Sequence, residues 1–226
     1  MELNADFEQR AAVHAAGLDW VASPMAGVER RMLDRIGAEK ARATSMVRYA
    51  PNSHFSSHVH TGGEEFLVLD GVFQDEHGDF PAGSYIRNPP ESSHTPGSKP
   101  GCTILVKLWQ FDLADRTHVR IDTKKKPFIA APDRPGVEVM PLFKAAIEDV
   151  RLERWAPGAL VRLEGHDGFE AFVLDGSFEE AGERFVKDSW LRLPKSAPLD
   201  AVAGPQGARV WIKSGHLGRQ PAAPGR

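Results

Sequence analysis

The 226-residue chain has a single cysteine, Cys102. One thiol cannot build an intrachain disulfide framework, and it excludes any Cys-x-x-Cys zinc or redox motif. Charge of one sign is also missing: 28 Lys and Arg stand against 31 Asp and Glu, a formal net charge of −3. That balance gives no general electrostatic reason to bind nucleic acid or a membrane surface. No run approaches the roughly 18 apolar residues of a membrane-spanning helix. The opening MELNADFEQRAAVHAAGLDW is charged and has no apolar signal core, so the expectation is a cytoplasmic protein. Ser-His-Asp, Cys-His and P-loop patterns are absent, which leaves no rival chemistry of those kinds. The remaining composition, 41% hydrophobic and 26% charged, is that of a folded globular chain. Its length suits one large domain or two of about 110 residues.

The chemistry that is present centres on His58-Val59-His60-Thr61-Gly62-Gly63-Glu64, answered by His94 thirty residues after the glutamate. Two histidines two apart in an extended segment point to one face, because strand side chains alternate. The Thr61-Gly62-Gly63 turn can bring Glu64 to the same point. Three imidazoles and one carboxylate form a mixed nitrogen and oxygen set suited to Zn, Fe(II), Mn, Ni or Cu. His14 and His77 read as packing or solvated residues, and Cys102 as a small core residue.

Along the chain, residues 4–16 read as a short helix closed by Gly17. GVERRMLDRIG and ARATSMVRYAP read as strands, the second stopped by Pro51. FLVLDGVF reads as a buried strand, a turn at Asp70-Gly71 and a return strand, followed by a bend at His77-Gly78-Asp79. GSYIR is a strand, NPPESSH a rigid loop carrying His94, and CTILVKLWQF a closing strand. Asp112 to Pro135 lacks periodicity and reads as an inter-domain connection, with Lys124-Lys125-Lys126 a solvated loop.

The second half repeats the first. RYAP at 48–51 returns as RWAP at 154–157, EFLVLDGVF at 65–73 as EAFVLDGSF at 170–178, and SYIRNP at 84–89 as SWLRLP at 189–194. Carrying the four ligand positions 105 residues onward gives Leu163, Gly165, Phe169 and Leu199. None is a metal ligand, and His166 lies one residue out of register, which reverses its face on a strand. The expectation is a duplication: a metal-binding domain over 1–118 and a degenerate, side-chain-filled second domain over 119–226.

The run from His58 through Gly71, with Gly83, Pro89 and His94, resembles the two motifs of the cupin superfamily. That resemblance implies an all-β double-stranded β-helix or jelly roll, here as two tandem cupin domains after a short N-terminal helix. It also implies that His58, His60, Glu64 and His94 are the metal ligands. Glu91 stands where the second motif usually has glycine, and Ser98 where it usually has asparagine.

ARATSMVRYAP, HVHTGGEEFLVLDGVFQDEHGDFPAGSYIRNPP and HTPGSKPGCTILVKLWQ are similar to the ChrR-type cupins, over roughly residues 20–111. In ChrR anti-sigma factors that domain follows a zinc-binding helical domain and takes part in oxidant responses. No His-x-x-x-Cys-x-x-Cys segment of that helical domain occurs here. The resemblance therefore implies a regulatory cupin sensing an oxidant or small ligand through one divalent transition metal, Zn or Fe before Mn or Ni. The alternative it implies is an Fe(II) dioxygenase cleaving a small diketone or hydroxyketone. Expected partners are a small-molecule ligand or substrate, a regulatory protein and a second copy of the chain, with no nucleic acid or membrane. Tyr49, Phe66, Val68, Arg87 and Trp109 are candidates for the barrel lining or its rim.

Overall fold

A computed structural model describes residues 1–38 and 40–218. The described residues are all-β apart from one 3-10 turn, Ala15–Gly17. No helix among the described residues is long and apolar enough to cross a membrane. Fourteen strands matter here: β1 Ala11–His14, β2 Val28–Gly37, β3 Ala41–Tyr49, β4 His58–Val59, β5 Glu64–Asp75, β6 Ser84–Asn88 and β7 Ser93–His94, then β8 Cys102–Leu108, β9 Val119–Asp122, β10 Val137–Ala145, β11 Glu148–Trp155, β12 Phe169–Glu180, β13 Ser189–Leu193 and β14 Leu199–Ser214.

The described residues form two compact units. One holds Met1–Ala5 and Asp19–Lys125; the other holds Asp6–Leu18 and the described chain from Lys126 to Gly218. In the first, the main sheet runs β2-β3-β8-β5-β6-β9, with antiparallel pairings throughout. Its interior is apolar: Val47, Phe66, Val68, Phe73, Ile86, Cys102, Ile104 and Val106 form one buried cluster against which Tyr49 and Leu108 pack. Alternation explains the choice, since Phe66 and Val68 face inward while Glu65 turns the other way. Glu65 is nonetheless 1% exposed and accepts a 2.5 Å hydrogen bond from the Tyr85 hydroxyl.

In the second unit the order is β10-β11-β14-β12-β13-β1. Its core gathers Phe169, Phe178, Phe185, Leu191, Leu193, Leu199, Val210 and Ile212, with Leu163 packed against it.

Three local expectations are corrected. Residues 4–16 are not a helix: Ala11–His14 pairs with Ser189–Leu193, from Ala11 opposite Arg192 to His14 opposite Ser189. Alanine favours helix, but a sheet edge offering backbone partners overrides a weak local preference. Arg10 reinforces the docking through Glu180 at 2.8 Å and Glu183 at 2.6 Å. The stretch after Asp112 is not structureless, because Val119–Asp122 closes the first sheet against Ser84–Asn88; four residues reading VRID carry too little pattern to betray a strand. Finally, Asp70-Gly71 is no hairpin turn. β5 continues through it to Asp75, with a register shift in its pairing to β8 near Thr103.

Candidate metal centre

Backbone pairing assembles the site. β4 and β7 run antiparallel with His58 directly opposite His94. The loop between them is clamped by His60 N–H donating to Ser92 O at 2.8 Å and Glu91 N–H donating to His60 O at 2.9 Å. Glu64 opens β5, flanked by Asn88 on one side and Leu108 on the other. The Gly62-Gly63 turn lies beneath two rings. A Cβ on Gly62 would come within 2.1 Å of Trp109, and one on Gly63, whose φ is +77°, within 2.4 Å of Phe111. Only glycine fits that turn, and the turn lets Glu64 fold back toward the histidines.

The four sequence-predicted residues converge. Ligand nitrogens of His58, His60 and His94 all lie within 4.8 Å of one another. Ring centroids are 4.9 Å apart for His58 and His60, 5.0 Å for His58 and His94, and 4.6 Å for His60 and His94. Glu64 Oε2 is 3.6 Å from Nε2 of both His60 and His94. Nitrogens bound to one metal at about 2.1 Å can stand up to about 4.2 Å apart. The three imidazoles thus stand close to the spacing of a shared coordination sphere, with Glu64 beside two of them.

One further observation fits a cation. His60 Nε2 is buried and has no hydrogen-bond partner. A buried polar atom left so is costly unless something not made of protein satisfies it. The donor set of imidazoles and one carboxylate suits a divalent transition metal. No other group of three His, Cys, Asp or Glu among the described residues converges in this way.

The surroundings tune these groups. Burial holds His60 below the ordinary imidazole range, outweighing the attraction of Glu64. Burial also lowers His94, but its hydrogen bond to Asp75, then the charges of Glu64 and Asp75, outweigh that and lift it above the ordinary value. Burial beside Glu64 pushes the Tyr49 hydroxyl upward. Cys102, 4% exposed in the core, is pushed up to about 11 chiefly by burial, so it is an inert thiol.

Access is unequal. His60, Glu64 and His94 are buried while His58 is exposed. Phe73 lies 5.6 Å from His94 and edge-on to Tyr49 at 5.9 Å, forming an apolar floor.

Of the candidate lining residues, Tyr49, Phe66 and Val68 belong to the interior cluster. Arg87 and Trp109 do other work. The Arg87 guanidinium stacks on Phe111 at 3.9 Å and pairs with Asp115 at 3.0 Å, and Trp109 covers the glycine turn. Glu91 holds a φ of +70°, the left-handed backbone that the usual glycine would take without strain, and Ser98 Oγ donates to Val72 O at 2.6 Å. Two residues escaped sequence reasoning: Asp75, whose Oδ2 is 3.2 Å from His94 Nδ1, and Asn88, whose amide donates to Glu64 Oε2 at 3.3 Å. No sequence signal marked Asp75, because the turn expected at Asp70-Gly71 hid the continuation to it of the strand that Glu64 begins.

At the positions 105 residues further on, Leu163 lies opposite Leu199 just as His58 lies opposite His94. Leu163, Phe169 and Leu199 all join the apolar core of the second unit. A Cβ on Gly165 would strike Ala197 O at 2.0 Å.

Comparison with known proteins bears on the fold. Residues 8–112 match the family model of the ChrR cupin-like domain. Comparison with curated proteins gives no match. Among solved structures, a candidate dioxygenase from Nostoc punctiforme is similar with a TM-score of 0.76 at 18% identity, covering 97% of this chain and 87% of that one. A cupin 2 conserved barrel domain protein from Leptotrichia buccalis gives 0.59 at 11% identity, covering 90% and 95%. The Streptomyces albus enzyme HEPD, solved with 2-hydroxyethylphosphonate and Fe(II) bound, gives 0.66 at 7% identity, covering 95% and 78%. At these identities the likeness is one of fold: an all-β cupin jelly roll.

Proposed function

We propose that this chain is a bicupin with one working barrel, holding a single divalent transition metal through His58, His60, Glu64 and His94, and that it acts as a dioxygenase on a small oxygenated organic molecule. The exposure of His58 carries the catalytic part. A structural or storage site gains nothing from an open side, whereas substrate must reach a catalytic metal. Four protein ligands would leave room on a bound ion for a substrate oxygen and a second small ligand. Bound Fe(II) would supply the activation of dioxygen.

The rest falls to the chain. Glu64 offsets part of the cation's charge. His60 and His94 fix two directions from the buried side. Tyr49, Phe66 and Phe73 make a floor that excludes water and favours a compact substrate with an apolar portion. The similarity to proteins described as a candidate dioxygenase and as an Fe(II)-bound enzyme supports this reading.

The match to the ChrR cupin-like domain favours a second reading, a regulatory cupin with Zn at the same ligands and a protein partner. Elemental mass spectrometry on anaerobically purified, untagged protein separates the two. About one iron per chain, with oxygen uptake on small diketones or hydroxyketones, is the expected result. About one zinc per chain without oxygen uptake would favour the sensor. His60→Ala should cut metal content from about one per chain to near zero, since it removes the ligand with no other partner. A full equivalent of metal in that variant would overturn the ligand assignment.

A further inference from the structure

An imidazole offers a metal one lone pair, and the proton on its other nitrogen decides which. For His94 the nitrogen facing the cluster is Nε2, 3.6 Å from Glu64 Oε2. Its Nδ1 faces Asp75 Oδ2 at 3.2 Å, and the Asp75 side chain is 2% exposed. An ionised carboxylate only accepts hydrogen bonds, so Nδ1 must carry the hydrogen, and in the neutral ring Nε2 keeps its lone pair for a cation.

The carboxylate is itself held. Asp75 Oδ1 accepts the His77 N–H at 2.7 Å. The neighbouring side chains fasten the same loop: Gln74 Oε1 accepts the Lys99 N–H at 2.7 Å, and Glu76 Oε2 accepts the Thr95 N–H at 2.7 Å. Three consecutive side chains at the end of β5 thus latch the segment that carries His94. Nothing comparable fixes His58, whose Nδ1 is 3.4 Å from Ser56 O, and His60 Nε2 has no partner. In the second unit the corresponding carboxylate is Glu180, which has no histidine to orient and is bound by Arg10 at 2.8 Å.

We propose that Asp75 is a positioning residue of the metal centre: it locks His94 as the Nδ1–H tautomer, aims Nε2 at the cation, and adds a second negative charge beside Glu64 to balance a divalent ion. This rests on the metal-site reading, and the test keeps the two apart. The full chain, labelled with 15N-histidine and freed of metal, is examined by long-range proton–nitrogen NMR in mildly alkaline buffer. His94 should be Nδ1-protonated in the wild type and shift toward Nε2-protonated in both Asp75→Asn and Asp75→Ala.

Chelator competition with Zn2+ and Fe2+ should then show affinity reduced about 10- to 100-fold in both variants, and partly restored in Asp75→Glu. Nε2-protonated His94 in the wild type, or unchanged affinity in both variants, overturns the proposal. If the tautomer switches as expected but the wild type takes up no metal, the metal reading is what fails, and the cation-directed role of Asp75 falls with it.

Discussion

A fully buried carboxylate persists only where its neighbours keep it charged, and Glu153 states the terms. It is 0% exposed and accepts from Trp155 Nε1 at 2.7 Å, Arg151 Nε at 2.8 Å and Arg134 at 2.9 Å. Burial alone would raise its pKa, but the charge of Arg151 and then the contacts with Arg134 prevail and hold it below the usual glutamate range. A depressed carboxylate contributes stability in full above its unfolded pKa, roughly 4.3, and loses it as pH falls through the lower folded value. Urea unfolding should therefore show a stability decline in acid that is shallower in Glu153→Gln. At neutral pH that variant should cost about 3 kcal/mol, because two arginines lose a buried partner. An unchanged acid slope would remove Glu153 from the account. Glu65 and Glu170 are likewise buried and also have a neutral donor among their partners: the Tyr85 hydroxyl at 2.5 Å and Trp190 Nε1 at 3.0 Å.

At the scale of elements, β5 is the strand on which the first unit turns, since Glu64 starts it, Phe66, Val68 and Phe73 anchor it in the core, and Asp75 ends it. Its continuity depends on Gly71. The φ there is +69°, and a Cβ would fall 2.0 Å from Gly101 O. Gly71→Ala combines left-handed strain of about 1–2 kcal/mol with overpacking of about 1–3 kcal/mol. It should lower the unfolding midpoint markedly, and a midpoint within a degree or two of wild type would show that the strand can rebend freely. The same glycine marks where sequence reading ended. Asp-Gly between apolar runs has the signature of a hairpin, and only the pairing with β8 on the far side reveals a bend in one strand.

Of the strands, β2 was legible from the glycines that bound it, β3 from the proline that stops it and β8 from its apolar run, and the four ligands because their spacing is short and chemically unusual. β1 and β9 were not, since each is four residues long and is held by a distant edge, Ser189–Leu193 or Ser84–Asn88, rather than by its own pattern. Asp75 and Asn88 were invisible for a related reason: ordinary polar residues gain meaning only from the atom opposite them.

For the molecule as a whole, the telling fact is that two sheets whose first five strands follow the same order, each around an apolar core, differ at the positions of the histidine cluster. Where the first unit brings His58, His60, Glu64 and His94 together, the second puts Leu163, Phe169 and Leu199 into a hydrocarbon core. The sequence repeats fit the bicupin proposed above, with a division of labour in which the second unit contributes apolar core rather than metal ligands. Phe178 tests it. It is 0% exposed, stacked on Phe185 with centroids 4.8 Å apart, and 5.2 Å from Trp155. Phe178→Ala removes a fully buried ring and leaves a cavity, which should cost about 3–5 kcal/mol. Urea unfolding should record that loss, while elemental analysis of the folded variant should still find about one metal per chain with unchanged affinity. A variant that folds yet loses the metal would mean the second unit helps to shape the site, and the division of labour would not hold.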